Sequence, residues 1–75
     1  LISKASIPIK AVLGNSTISV SDFSSLQVGD IIRLDTKVED ELDVFVGNIK
    51  KFTALPGSSE GKYAVRVTSI IREEQ

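Results

Sequence analysis

The pattern that most constrains this chain is apolar residues recurring at every second position, in short runs separated by turn residues. Ile7-Pro8-Ile9-Lys10-Ala11-Val12-Leu13 sets Ile7, Ile9, Ala11 and Leu13 on one face and Lys10 and Val12 on the other. That period of two belongs to a β-strand, with Pro8, which has no amide donor, at its start or on an edge. Leu42, Val44 and Val46 share one phase against Asp43 and Phe45 in the next such run. Residues 62–71 form the longest, with Tyr63, Val65, Val67 and Ile71 in phase. Gly14-Asn15 and Gly47-Asn48 fall between runs and read as tight hairpin turns, because both residue types tolerate positive φ. The expected return strand of the first hairpin is Thr17-Ile18-Ser19-Val20, and that of the second is residues 49–55. Pro56-Gly57-Ser58-Ser59-Glu60-Gly61 reads as a loop.

Two stretches depart from alternation. In Ser21-Asp22-Phe23-Ser24-Ser25-Leu26, Ser21 or Asp22 can accept from the free amides of a first helical turn, and Phe23 with Leu26 makes an i, i+3 apolar pair. One short helical turn is therefore predicted. It leads into Leu26-Gln27-Val28-Gly29-Asp30-Ile31-Ile32-Arg33-Leu34-Asp35, where Gly29 accepts positive φ and Asp30 can close the turn with its side chain. Ile31, Ile32 and Leu34 are then expected to enter the sheet. The reading is a mostly β domain of five or six short strands with one helical turn. The charged end at residues 72–75 is expected to fray.

Seventy-five residues make one small domain, which hides only roughly 60% of the surface its unfolded chain exposes. Domains of this size commonly need disulfides, a metal or a partner. The chain contains neither cysteine nor histidine, so a disulfide is impossible and a zinc site would need an all-carboxylate shell. Association with a second chain is the expected source of added stability. It would also cover the unpaired edges of a small sheet. Phe45, Val12 and Ile32 put apolar residues on the second face of their strands, as a strand covered on both sides requires.

Net charge is −1, and of the nine basic residues only Lys50 and Lys51 are adjacent, so nothing in the charge pattern would draw nucleic acid or an anionic membrane. No apolar run approaches the ~18 residues of a membrane span. Sharper chemical readings are weak. Asp35-Thr36 has the first two residues of the aspartic protease Asp-Thr-Gly, but Lys37 follows. Glu39, Asp40, Glu41 and Asp43 lack the alternating spacing and central glycine of a calcium loop, and are expected to form a solvated rim that could face Lys50-Lys51 of a partner. Phe23, Phe45, Phe52 and Tyr63 are the aromatic residues a nucleic-acid-binding barrel would have to use. No catalytic residues, metal site or cofactor are expected.

With these elements placed, the chain resembles the SpoA (surface presentation of antigens) domain, in the form found at the C-terminus of FliM-type flagellar motor switch proteins. The matching stretches are Ile7-Pro8-Ile9-Lys10-Ala11-Val12-Leu13-Gly14, then Leu26 through Asp35 as quoted above, Asp40-Glu41-Leu42-Asp43-Val44-Phe45-Val46-Gly47, Lys51-Phe52, Pro56-Gly57 and Tyr63-Ala64-Val65-Arg66-Val67-Thr68. The resemblance implies a single SpoA-like domain over residues 1–75, with its core at about 7–71, cut from a longer chain. It further implies an intertwined, saddle-like dimer, formed with a second copy or with the related domain of the smaller switch protein FliN. Such modules build the cytoplasmic ring of the flagellar motor, at the inner face of the membrane, where they support switching of rotation and docking of export-apparatus proteins. Type III secretion ring proteins carry the same domain class and are the alternative setting. The residues expected in the shared core and interface are Ile31, Ile32, Leu34, Leu42, Val44, Phe45, Val46, Val65 and Val67. Gly29, Asp30, Gly47 and Asn48 are expected to set the turns.

Overall fold

The computed structural model describes residues 4–72. It is an open, four-stranded antiparallel sheet with one short helix, in the order β1 (Ile9–Val12), α1 (Val20–Ser24), β2 (Leu42–Val46), β3 (Ile49–Ser59), β4 (Lys62–Ile70). The strands lie in space as they lie in sequence, β1-β2-β3-β4. Each strand therefore pairs only with its chain neighbours, and β1 and β4 form the two edges among the described residues.

The mostly β class and the single helical turn follow the sequence reading. β2 and β4 form where alternation placed them, because Val, Ile and Phe at every second position suit a pleated surface. Gly47, at φ +60°, turns β2 into β3. β3 and β4 meet at Glu60 (φ 51°) and Gly61 (φ +81°), two left-handed residues that form a tight hairpin matching the twist of the strands.

Several expectations fail. Pro56-Gly57-Ser58-Ser59 is not a loop but the second half of β3, paired with β4 through Pro56↔Val65 and Ser58↔Tyr63. β3 loses β2 as a partner beyond Ala54, so it is itself an edge there, and an edge tolerates the missing amide of a proline. Gly14-Asn15 does not close a hairpin, and no strand covers residues 17–20. Instead the Ser19 hydroxyl accepts from the Asp22 amide at 3.1 Å and caps α1 two residues before Ser21, the earlier of the expected caps, which takes Val20 into the helix. Residues 31–34 belong to none of the four strands, so the count of five or six is too high. The expected fraying of the C-terminal residues falls, beyond Arg72, outside the described residues.

The sheet has two unlike faces. On one, cross-strand neighbours Ala11, Val44, Phe52 and Ile70 form a row beside Leu42, Ala54 and Val67. The other carries Lys10, Asp43, Phe45, Lys50, Thr53 and Ser69. Bulges after Val44 and after Thr53 shift the register of β3 by one residue each. Among the described residues the buried apolar core consists of Leu42, Val44 and Ala54, all on the first face of β2 and β3.

Candidate interaction surface

Three buried side chains cannot hold a domain together, and the size of the surface states the deficit. The chain exposes 7132 Å². A compact monomer of 8.1 kDa would expose about 4,500 Å². Its radius of gyration is 16.3 Å, with extents of 53 × 35 × 27 Å. A compact chain of this length would have a radius near 11 Å. The shape is that of part of a larger packed body.

The uncovered area is apolar and continuous. A groove of about 410 Å³ is lined by Leu13, Ile32, Leu34, Val38, Leu42 and Pro56. Past Leu13, Leu42 and Pro56 it runs into a second hollow of about 420 Å³, walled by Ala11, Tyr63 and Val65. Tyr63 is fully exposed, and Leu13 and Ile9 are more than 60% exposed. Soluble monomers rarely leave so much contiguous apolar surface open, so this face is built to be covered.

The expected core and interface residues divide into groups. Leu42 and Val44 are buried in the sheet, while Leu34 and Val46 are half-buried. Ile32, Leu34, Leu42 and Val65 come together around the two hollows. Val67 extends the same face from β4, paired with Ala54 and 52% exposed. Phe45 lies on the opposite face, with the Lys10 ammonium 5.5 Å from its ring centre. Ile31, 93% exposed, lines neither hollow but borders a separate depression with Asp22, Leu26 and Arg33. Sequence reasoning missed Pro56 and Val38, the first because Pro-Gly signals a loop, the second because it sits in an acidic run.

The turns behave as their side chains require. Gly29 has φ +101°. Asp30 closes the turn twice, its amide donating to the Gln27 carbonyl at 3.0 Å and its carboxylate accepting from the Gln27 amide at 2.9 Å. The same device recurs ten residues on, where the Asp40 amide donates to the Lys37 carbonyl and the Asp40 carboxylate accepts from the Lys37 amide. Nothing in the sequence reading anticipated this second turn, although an aspartate three residues after the turn opens is the shared signal.

The acidic residues are dispersed rather than gathered. Asp40 closes its turn, Asp43 pairs with Lys50 of its own chain at 2.9 Å, and Glu41 accepts from the Thr68 hydroxyl at 2.8 Å. Lys50 is thus engaged within the chain, contrary to the expectation that it would serve a partner's acidic rim. Thr53 and Thr68 bond to each other at 2.8 Å, and together they hold the Glu41 carboxyl below its usual range. Among the described residues no group of carboxylates is arranged to hold a metal ion, and no helix is long and apolar enough to cross a membrane. Asp35 does not end a strand; its carboxylate accepts from the Asn15 amide at 2.9 Å and ties the two loops together.

An open sheet with one apolar face uncovered and its polar groups paired locally defines a protein-interaction module. The chain belongs to the family described as type III flagellar switch regulator (C-ring) FliN C-term, which it matches over residues 1–72. The resemblance read from the sequence is thereby confirmed, and that family is a structural switch component rather than an enzyme. The chain is 44% identical over 75 residues to the flagellar motor switch protein FliM of Bacillus subtilis (strain 168), covering 99% of this chain and 23% of the relative. Against FliM of Thermotoga maritima it is 40% identical over 65 residues, 87% of this chain and 20% of the relative. Against FliM of Treponema pallidum (strain Nichols) it is 40% identical over 67 residues, 88% and 20%. The chain spans about a fifth of the length of these relatives.

Proposed function

We propose that this domain is a structural assembly module of the bacterial flagellar motor switch, acting in the cytoplasmic ring as one half of an intertwined dimer. Its partner is a second copy or the related domain of FliN. The observation that carries this reading is the surface of 7132 Å², about 2,600 Å² more than a compact chain of this mass exposes. Two chains burying that excess would form an interface of about 5,000 Å², in the range of obligate dimers with core-like interfaces. The shared core would then consist of Ile32, Leu34, Leu42, Val44, Val46, Val65 and Val67, with Ile31 and Phe45 packing from the second side. The flagellar rather than the secretion setting is supported by three relatives that are all flagellar motor switch proteins. In the assembled ring the module contributes to switching of rotation and offers a platform to export-apparatus proteins.

Light scattering coupled to size exclusion tests the reading, on the chain alone and mixed with the FliN domain from the same source. The expected mass is twice 8.1 kDa for the chain alone, converting to a mixed species on addition of FliN. A folded monomer at micromolar concentration that ignores FliN would overturn it.

A further inference from the structure

Residues 16–34 form an excursion between β1 and β2 whose two ends are tied together by Asp35. The Asp35 amide donates to the Asn15 carbonyl at 2.8 Å, and the Asp35 carboxylate accepts from the Asn15 amide at 2.9 Å. The Thr36 hydroxyl donates to the same carboxylate oxygen at 3.2 Å. Gly14 lies directly against this neck: a Cβ there would stand 2.8 Å from Thr36 Oγ1 and 3.1 Å from Leu34 Cβ. Only a residue without a side chain lets the two segments of the neck approach so closely.

Beyond the neck the excursion is ordered but unseated. α1 is capped by Ser19, and the next turn is closed by Asp30. Yet no residue of α1 is buried, and Val20, Phe23, Val28 and Ile31 are 81, 65, 107 and 93% exposed. Among the described residues the substantial packing between elements runs between adjacent strands of the sheet. An arm with fixed internal structure and an apolar surface, which meets its own sheet only through Ile32 and Leu34 at its base, needs a seat elsewhere.

We infer that the Asp35 neck is a positioning device that sets the direction in which this arm reaches the sheet of a second copy of the chain. The inference rests on the dimer reading above, which supplies the occupant: the apolar arm matches an apolar groove, and the excess area is that of a second chain. Fixing the arm before encounter lowers the ordering cost of association. The neck acts through main-chain atoms of Asn15, so the Asp35 carboxylate and the absent side chain at Gly14 are the features on which it depends.

The chain has no cysteine, so Val28→Cys at the arm's tip can carry a single spin label. The dimer dissociation constant is measured by light scattering or ultracentrifugation, and the inter-label distance distribution by pulsed electron paramagnetic resonance. Asp35→Ala is expected to weaken the dimer on the order of tenfold, the loss of a hydrogen bond to a charged group, and to broaden the distance distribution. Asp35→Asn, which keeps the accepting oxygen, restores both. Gly14→Ala is measured alongside because it removes no hydrogen-bonding atom; it is expected to broaden the distribution in the same way, and it carries the test where Asp35→Ala does not fold. Dimers of Asp35→Ala or Gly14→Ala as tight and as sharply distributed as the parent overturn the neck while leaving the dimer reading intact. A parent chain that is monomeric overturns the seat on a second copy, and one that also ignores the FliN domain overturns the dimer reading itself.

Discussion

Val44 is the position where the sheet can be tested most severely. It is 2% exposed, flanked across β1 by Ala11 and across β3 by Phe52, in the centre of the apolar face. Val44→Asp removes a buried side chain worth about 1.5–3 kcal/mol. It also places a carboxyl where no polar partner lies on the same face. The least costly response is protonation. Keeping an aspartic acid of ordinary pKa about 3.9 neutral at pH 7 costs roughly 4 kcal/mol, at 1.36 kcal/mol per pH unit. The sum is about 6 kcal/mol. A domain of this length has a total stability on the order of 4–11 kcal/mol, so the variant should lose fold and dimer together. The protonation share has a sign. Burial raises the folded pKa of the new carboxyl, so the destabilisation is largest at neutral pH and shrinks as pH falls toward about 4. Val44→Ala, by contrast, loses two methyl groups and should cost about 2 kcal/mol, leaving a folded dimer with a lower melting midpoint. Circular dichroism melts at pH 7 and pH 4.5, combined with light scattering, read both effects. A well-folded Val44→Asp monomer at pH 7 would refute the reasoning, because it would place Val44 outside the shared core.

Two further outcomes probe single groups. Gly47 has φ +60° and nothing within 4 Å of the place its Cβ would take, so Gly47→Val meets a conformational penalty without a clash and should cost about 1–2 kcal/mol in urea unfolding. An unchanged midpoint would mean that this turn is not what joins β2 to β3. The hydroxyls of Thr53 and Thr68 lower the Glu41 pKa from its ordinary 4.5. A lowered folded pKa contributes stability above the unfolded value that is lost as pH falls through the folded one. Glu41→Gln should therefore melt below the parent at neutral pH, with the gap closing below pH 4.5, and a gap independent of pH would show that the carboxylate charge is not what the threonines hold.

What the sequence determined on its own was local. β2, β4, the Gly47 turn and the Asp30-closed turn were legible because alternation, positive φ and an aspartate's own hydrogen bonds act within a few residues. The helical turn was legible for the same reason, though its cap was not. Ser19 reads equally as the outward residue of a strand, and only the absence of a neighbouring strand releases Val20 to the helix. Pro56-Gly57 illustrates the limit from the other side. Local preference reads a loop, but β4 offers a continuous partner ladder, and the departure of β2 leaves the edge on which proline is tolerated. Residues 31–34 are strongly β-prone and still form no strand here, because a strand is defined by the neighbour it pairs with. The faces of the sheet were written in the phase of the side chains. Which of those faces is left open, and that among the described residues only Leu42, Val44 and Ala54 are buried, was decided by tertiary structure, since burial depends on what the rest of the chain, or another chain, brings against a face.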